Sequence, residues 1–394
     1  MGRQKQTQSQ EEHMYTCWIC SVPGIGNHTV EKLFALCPGA REIYKTGENL
    51  WKEVLTDRQM EQIRMFAKST APEALWETLS ERNIRFVMLS DADYPKRLRN
   101  IPDSPRGLFV KGRLPDENSL SVAVIGARDC SEYGSFVADG IGRELGRCGV
   151  QVISGMARGI DGISQAAALR AGGSSFGVLG CGVDICYPSS NRKLYEELCE
   201  QGGLLSVHPP GTEARAQHFP PRNRIVSGLA DALIVVEARV KSGTLITVDM
   251  ALEQGREVYA VPGRVTDRLS DGCNRLIAQG AGVFLTPEDF LRELKEGRRC
   301  GDVSVAQEET SCAGTQSREE VAKQWECRPD HARLTPEQME LYAVLDWQPM
   351  SLEQIQTKLQ KEYTVPELMT RLMSLCVEKI AVQVSPGQFA LRAE

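Results

Sequence analysis

Between residues 120 and 290 the sequence alternates short, nearly continuous apolar runs with helical stretches, and this pattern limits the possible folds more than any other feature. The runs are Val122–Ile125, Val150–Ile153, Phe176–Leu179, Leu204–Val207, Ala232–Val236 and Val258–Val261. A strand with one face in water alternates apolar and polar residues, whereas an unbroken run suits a strand covered on both faces. Helical periodicity fills 134–148, 161–171, 191–201 and 244–254. Strand and helix in regular alternation imply a doubly wound, mostly parallel sheet, with any site at the carboxyl ends of its strands.

The flanking segments differ from this core. Residues 1–13 are polar and are expected to be disordered. Residues 14–80 carry helical periodicity with few strand signals. There Val22-Pro-Gly-Ile-Gly26 precedes Thr29-Val-Glu-Lys-Leu-Phe34, a Gly-x-Gly turn opening a helix. It reads either as a helix–hairpin–helix (SAM-like) element that holds a phosphate on backbone amides or as a plain turn in a small helical domain. Residues 84–113 add two short strands, Ile84–Leu89 and Leu108–Lys111, as an entry segment to the core, which is taken as 81–292. Residues 293–333 have few large apolar residues and read as a flexible linker. In 334–394 three helical stretches (336–346, 351–361, 365–377) and a hairpin turning at Ser385-Pro-Gly-Gln388 predict a winged-helix-like domain. No internal repeat is evident.

Composition narrows the function. The formal net charge is −6, so a nucleic-acid partner would need locally concentrated positive charge. No apolar run is long enough to span a bilayer, and the N-terminus lacks the apolar core of a signal peptide. A cytoplasmic protein with no membrane role is expected. The thirteen cysteines should stay reduced there. Cys17-Trp-Ile-Cys20 has no second ligand pair at zinc spacing, so no metal is expected, and the pair reads as two partly buried helix thiols.

The polar residues gather at strand ends. Ile125-Gly-Ala-Arg-Asp-Cys-Ser131, Ser154-Gly-Met-Ala-Arg-Gly-Ile-Asp161 and Gly180-Cys-Gly-Val-Asp184 each follow an apolar run. Glycine turns into helices aim amides at a common crevice. Arg128 and Arg158 in these turns favour an anionic ligand. The sharpest cluster is His218-Phe-Pro-Pro-Arg-Asn-Arg-Ile-Val-Ser-Gly-Leu229, followed by Lys241-Ser-Gly-Thr-Leu-Ile-Thr247. From Arg215 to Lys241 there are five basic residues and two acidic ones, so this stretch is basic within an acidic chain. Arg222 and Arg224 suit phosphate oxygens, Asn223 suits a base edge or phosphate, and Phe219 can stack on a base. No dinucleotide fingerprint, P-loop, H-E-x-x-H or G-x-S-x-G motif occurs, and no carboxylate pair has the spacing of acid–base chemistry. No cofactor and no catalytic residue are therefore expected. Asp161 and Glu237 read as capping or arginine-pairing groups.

These motifs together resemble the DprA/Smf (DNA-processing protein A) family. The residues that carry the resemblance are Ser154–Asp161, Leu179–Asp184 with Tyr187-Pro188, and Phe219–Ile225 with Ser227–Leu229. They continue with Val236–Ala238, Ser242–Thr247, Gly255-Arg256 and Ala260–Gly263, over roughly 84–290. The resemblance implies an extended Rossmann-like fold that binds single-stranded DNA in a basic pocket, dimerises, protects single strands in natural transformation and helps load RecA. By position, Arg128, Arg158, Phe219, Arg222, Asn223, Arg224 and Lys241 would face the strand. Gly126, Ser154, Gly155, Gly243 and Thr244 would shape the pocket. Two departures stand out: Ser164-Gln165 replaces the family's Ala-His pair, and Ser206-Val207 with His208 replaces its Ser-Glu. The winged tail would add duplex or protein contacts. The alternative is a Rossmann-like nucleotide (phosphoribo)hydrolase, although the acidic residue of that enzyme class's P-G-G-x-G-T-x-x-E motif is missing here.

Overall fold

The computed structural model describes residues 2–37, 39–46, 51–301, 335–346, 349–359, 361, 363–378 and 380–391. The chain divides into two compact units. One comprises 1–129 with 141–287, the other 130–140 with 288–394.

The first unit is built on a nine-stranded sheet: β1 (Arg85–Met88), β2 (Gly107–Gly112), β3 (Ser121–Ile125), β4 (Gln151–Ser154), β5 (Ser175–Val178), β6 (Gly203–Ser206), β7 (Ala232–Val235), β8 (Glu257–Ala260) and β9 (Gly282–Val283). Their order is β1-β2-β6-β5-β4-β3-β7-β8-β9. From β6 to β9 every neighbouring pair is parallel. The strands β3 to β7 are buried along their whole length, as unbroken apolar runs require. From β3 the chain steps outward through β4, β5 and β6, then returns to lay β7 on the other side of β3. The order therefore reverses between β3 and β7, which opens a crevice at their carboxyl ends. The two strands of the entry segment extend the sheet: β2 pairs antiparallel with β6 and β1 with β2. The short β9 carried no apolar-run signal in the sequence.

Among the described residues five helices precede the sheet: α1 (Gly2–Ser21), α2 (Asn27–Leu36), α3 (Ala40–Thr46), α4 (Asp57–Ser69) and α5 (Pro72–Glu81). Tyr15, Trp18, Ile19, Val30, Leu33, Ile43, Trp51 and Ile63 form their common core. A capping box between Thr56 and Gln59 sets the start of α4. α1 begins at Gly2, within the stretch for which the sequence suggests disorder. Gln, Glu and Lys are good helix formers, and the buried turns at Tyr15 and Trp18 give the helix an anchor. Glu12 also accepts the Ala40 N–H at 2.7 Å, and Glu11 pairs with Arg41 at 3.1 Å. Neither contact is visible in a polar stretch read alone.

The Gly24-Ile-Gly26 turn does open a helix, but the next residue is a tether. The Asn27 amide donates to Asp103 Oδ1 at 2.6 Å and to Ser104 O at 3.0 Å, and its Oδ1 accepts the Arg106 N–H at 2.9 Å. Arg106 in turn pairs with Glu31 at 3.1 Å and lies 4.1 Å over the Phe34 ring. This turn joins the helices to the sheet.

The intervening helices are α6 (Lys96–Arg99), α7 (Glu132–Arg147), α8 (Ile160–Arg170), α9 (Arg192–Gln201), α10 (Phe219–Gly228), α11 (Gly243–Glu253), α12 (Asp271–Ala278) and α13 (Pro287–Gly301). α13 crosses the 292/293 position taken as the start of the linker and runs to Gly301; the rest of the expected linker lies outside the described residues. The second unit holds α14 (Pro336–Val344), β10 (Met350–Ser351), α15 (Leu352–Lys358), α16 (Val365–Val377), β11 (Ala381–Ser385) and β12 (Gln388–Leu391). α14, α15 and α16 each begin with a capping box, at Thr335/Gln338, Ser351/Gln354 and Thr364/Glu367. β12 lies between β10 and β11 in a three-stranded sheet. Leu341, Ile355, Leu368, Leu372 and Phe389 fill its core. Among the described residues no helix is long and apolar enough to cross a membrane.

Asp231, just before β7, holds the sheet's amino edge. Its carboxylate accepts Arg97 Nε at 2.9 Å and the Ser121 N–H at 2.9 Å, and both side chains are mostly buried. Asp231→Ala strands a buried guanidinium and the amide that starts β3. It is expected to lower the core's stability by about 3 kcal/mol, read as a lower urea midpoint by far-UV circular dichroism. An unchanged midpoint would show the pair to be dispensable.

Candidate nucleic-acid interface

The crevice at the carboxyl ends of β3, β4 and β7 is a cleft of about 610 Å³. Its walls are the turn after β3 (Gly126, Arg128), the turn after β4 (Gly155, Ala157), the first turn of α8 (Asp161), α10 (Phe219, Arg222, Asn223) and the start of α11 (Ser242, Gly243, Thr244).

Arg222 lies at its floor, only 4% exposed. It donates through Nη1 to Val178 O at the end of β5, and its Nε has no partner among the described residues. The guanidinium packs where a side chain on Gly155 would go, since a Cβ there would meet Arg222 Nη1 at 2.3 Å. Glycine after β4 is thus required by close approach. Asp161 is also buried, and its Oδ2 accepts the Gly155 N–H at 3.1 Å. Burial raises the Asp161 pKa, opposed by Arg222 and by the hydrogen bonds from Gly155 and Ser154. Burial likewise lowers that of Arg222, with Asp161 opposing and Arg128 reinforcing the shift. Two arginines face one carboxylate, so the cleft carries an unbalanced positive charge that an anion would neutralise.

The upper wall is aromatic. Phe219 is half-buried between cation and ring, with the Arg128 guanidinium 5.3 Å over its face and Tyr187 5.6 Å away at 31°. Asn223 lines the cleft. The amino end of α11 completes it. Ser242 caps the helix by accepting the Thr244 N–H at 3.2 Å, and Thr244 Oγ1 donates to Gly126 O at 3.2 Å, tying the turns after β3 and β7 together. A helix amino end favours negative charge.

A family model described as "DNA recombination-mediator protein A" matches residues 85–295, more than half of the chain. The chain belongs to the DprA/Smf family. The DNA processing protein DprA of Bacillus subtilis is 42% identical over 217 residues, covering 55% of this chain and 73% of that protein. Protein Smf of Escherichia coli is 40% identical over 245 residues, 62% of this chain and 65% of that protein. The X-ray structure of DNA processing protein A from Streptococcus pneumoniae superimposes with a TM-score of 0.58 at 33% identity, covering 71% of this chain and 96% of that one. The DprA/Smf family is one of DNA-binding recombination mediators, not of enzymes.

Of the residues assigned to the strand, the structure brings Arg128, Phe219, Arg222 and Asn223 to the cleft. Arg224 is turned away from the cleft lining, because residues two apart on a helix point in nearly opposite directions. Arg224 instead bonds Asp103 O and pairs with the Asp103 carboxylate at 3.0 Å, joining α10 to the segment that Asn27 holds. Arg158 is exposed and paired with Asp129, outside the lining. Lys241 is exposed at the rim, one residue before the cap. Of the pocket-shaping residues, Gly126, Gly155, Gly243 and Thr244 line the cleft. Ser154 is fully buried, donating to Val124 O at 2.6 Å, and acts from behind the wall. Gly243 needs no close approach, because a Cβ there would meet nothing within 4 Å. Sequence reasoning missed Tyr187 as a wall residue. In the sequence, Tyr187-Pro188 is legible only as part of the family pattern.

The two family departures also have places. Gln165 is fully buried, accepting the Met156 N–H at 3.0 Å and donating to Phe176 O at 3.0 Å. It braces β4 against β5. His208 stacks on His218, ring centroids 4.2 Å apart, and His218 meets Gly180 O at 3.2 Å just before Phe219. Cys17 and Cys20 lie on α1, and burial pushes both thiols up, Cys20 to about 12, so neither is a ready thiolate. Among the described residues no His, Cys, Asp and Glu group is placed to hold a metal.

Gly155→Ala is expected to displace Arg222 and lower thermal stability clearly, whereas Gly243→Ala should stay within about 1 kcal/mol of wild type. Equal effects would contradict the packing described. The His208 pKa is pushed down to about 4 by burial and by His218. The unfolded chain binds the proton first as pH falls. The stability from the neutral ring is therefore complete above about 6.5 and is lost as pH drops towards 4. His208→Gln should flatten the fall in urea midpoint over that window, and an unchanged slope would refute the assignment.

Proposed function

We propose that this chain is a single-stranded DNA-binding recombination mediator that protects strands and helps load RecA onto them during DNA processing and natural transformation, acting in the cytoplasm as a homodimer. The observation that carries this reading is the pairing of an under-compensated arginine floor with an aromatic wall in one open cleft. Phosphates would sit on Arg128 and the amino end of α11, over the charge of Arg222, while a base stacks on Phe219 beside Asn223. Family membership supports the mediator role. The core reads as an extended Rossmann-like fold, the first helices as a helix–hairpin–helix-like domain and the second unit as winged-helix-like. A dimer would offer two clefts to one strand and gain avidity.

The test is binding of fluorescent oligo-dT across a salt series. Arg128→Ala should weaken binding and reduce the slope of log K against log salt by about 0.7, one phosphate contact. Phe219→Ala should cost about 1–3 kcal/mol with the slope unchanged. Arg224→Ala should leave the slope as in wild type. Absence of binding by wild type, with release of free base from a nucleoside monophosphate, would instead favour the hydrolase reading.

A further inference from the structure

The strand-end loops beside the cleft carry charge that the cleft itself does not use. β7 and β8 are parallel neighbours, with Val235 opposite Ala260. The chain leaving β7 runs Ala238-Arg-Val-Lys-Ser242, and the chain leaving β8 runs through Arg264 to Arg268-Leu-Ser270. Backbone bonds fasten the two together: Ala238 N–H donates to Leu269 O at 2.8 Å, and Gly272 N–H donates to Ala238 O at 2.8 Å. The backbone at Arg239 therefore runs next to the backbone at Arg268, and Lys241 follows one residue before the cap of α11. All three are exposed, and none has a carboxylate partner among the described residues. Two acidic residues share the stretch, Asp267 and Asp271. Asp267 is turned inward, accepting the Leu269 N–H at 3.0 Å and facing the Ser270 hydroxyl at 3.5 Å. Asp271 stands in the first turn of α12.

Exposed cations without partners are ordinary in a basic protein. They are less so in a chain of net charge −6, gathered on two adjacent loops of which the first leads into the cleft at Ser242. The carboxylate nearest Arg268 in sequence is held by its own turn. A flexible polyanion fits such a surface, because its phosphates can follow separate point charges without base recognition. We propose that Arg239, Lys241 and Arg268 form a phosphate track that guides the single strand from the cleft across the β7–β8 edge. The proposal rests on the single-strand reading of the cleft and extends it. The cleft would hold the one or two nucleotides that stack on Phe219, and the track would set the length of strand needed for full affinity.

The test compares (dT)6 with (dT)30 by fluorescence anisotropy at several salt concentrations. Wild type is measured beside Arg239→Gln/Arg268→Gln, the reversal Arg268→Glu, and Phe219→Ala. Loss of two phosphate contacts should reduce the salt slope for (dT)30 by about 1.4 and its affinity by about tenfold. The affinity for (dT)6 should change less than twofold. Arg268→Glu should weaken (dT)30 further, while Phe219→Ala should weaken both lengths. If wild type binds both oligonucleotides and the double variant keeps its slope and affinity for (dT)30, the track is refuted and the cleft reading stands. If the double variant weakens both lengths equally, these cations belong to the cleft and not to a track. If wild type binds neither, both readings fall.

Discussion

A guanidinium withdrawn from water must be paid for by neighbours, and Arg222 shows how much of the site follows from that requirement. Its Nη1 donates to the last carbonyl of β5, Asp161 on α8 offsets its charge, and the turn after β4 gives up its side chain at Gly155 to make room. Two consecutive βα units, β4 with α8 and β5, are fixed relative to α10 by one side chain. The compensation is incomplete, because Nε lacks a partner among the described residues and Arg128 adds a second positive charge. The floor that organises the cleft therefore also makes it attractive to an anion. Phe219, a turn earlier on the same helix, supplies an apolar face beside that charge.

Arg224 performs a related task on the other side of α10. It holds Asp103 by carbonyl and carboxylate, and Asn27 holds the same residue from the helical region. The helix that carries Phe219 and Asn223 is thus pinned from both sides, inward by Arg222 and outward through Arg224 to α2. Asp103 has a positive φ of 54°, a conformation Asp tolerates better than most residues. The Gly24–Gly26 turn, which could have met a phosphate, leads instead into this joint.

The order of strands and helices from β3 to β8 was legible because burial on both faces demands unbroken apolar runs, and the glycine turns marked the edge at which a site would form. The DprA/Smf motif set was legible for the same reason, since close backbone approach and helix starts restrict residue type at fixed spacing. The antiparallel placement of β1 and β2 beyond β6 was not, because strand order depends on contacts distant in sequence. Nor was the helix at 2–21, whose polar first half is held through Glu11 and Glu12 by partners near residue 40.

The sequence by itself determined the alternating architecture, the glycine turns and a local excess of arginine in an acidic chain. Only the tertiary structure decided what each arginine does. Arg222 and Arg224 are chemically identical and two residues apart, and a composition count treats them alike. The helix turns them to opposite sides, one into the cleft floor and one onto Asp103, because about 200° of rotation separates i from i+2. Tyr187 entered the cleft wall, and the loop of Arg268 came to lie against the loop of Arg239, for a related reason: their positions follow from which strands are neighbours, and that is settled by packing across the sheet.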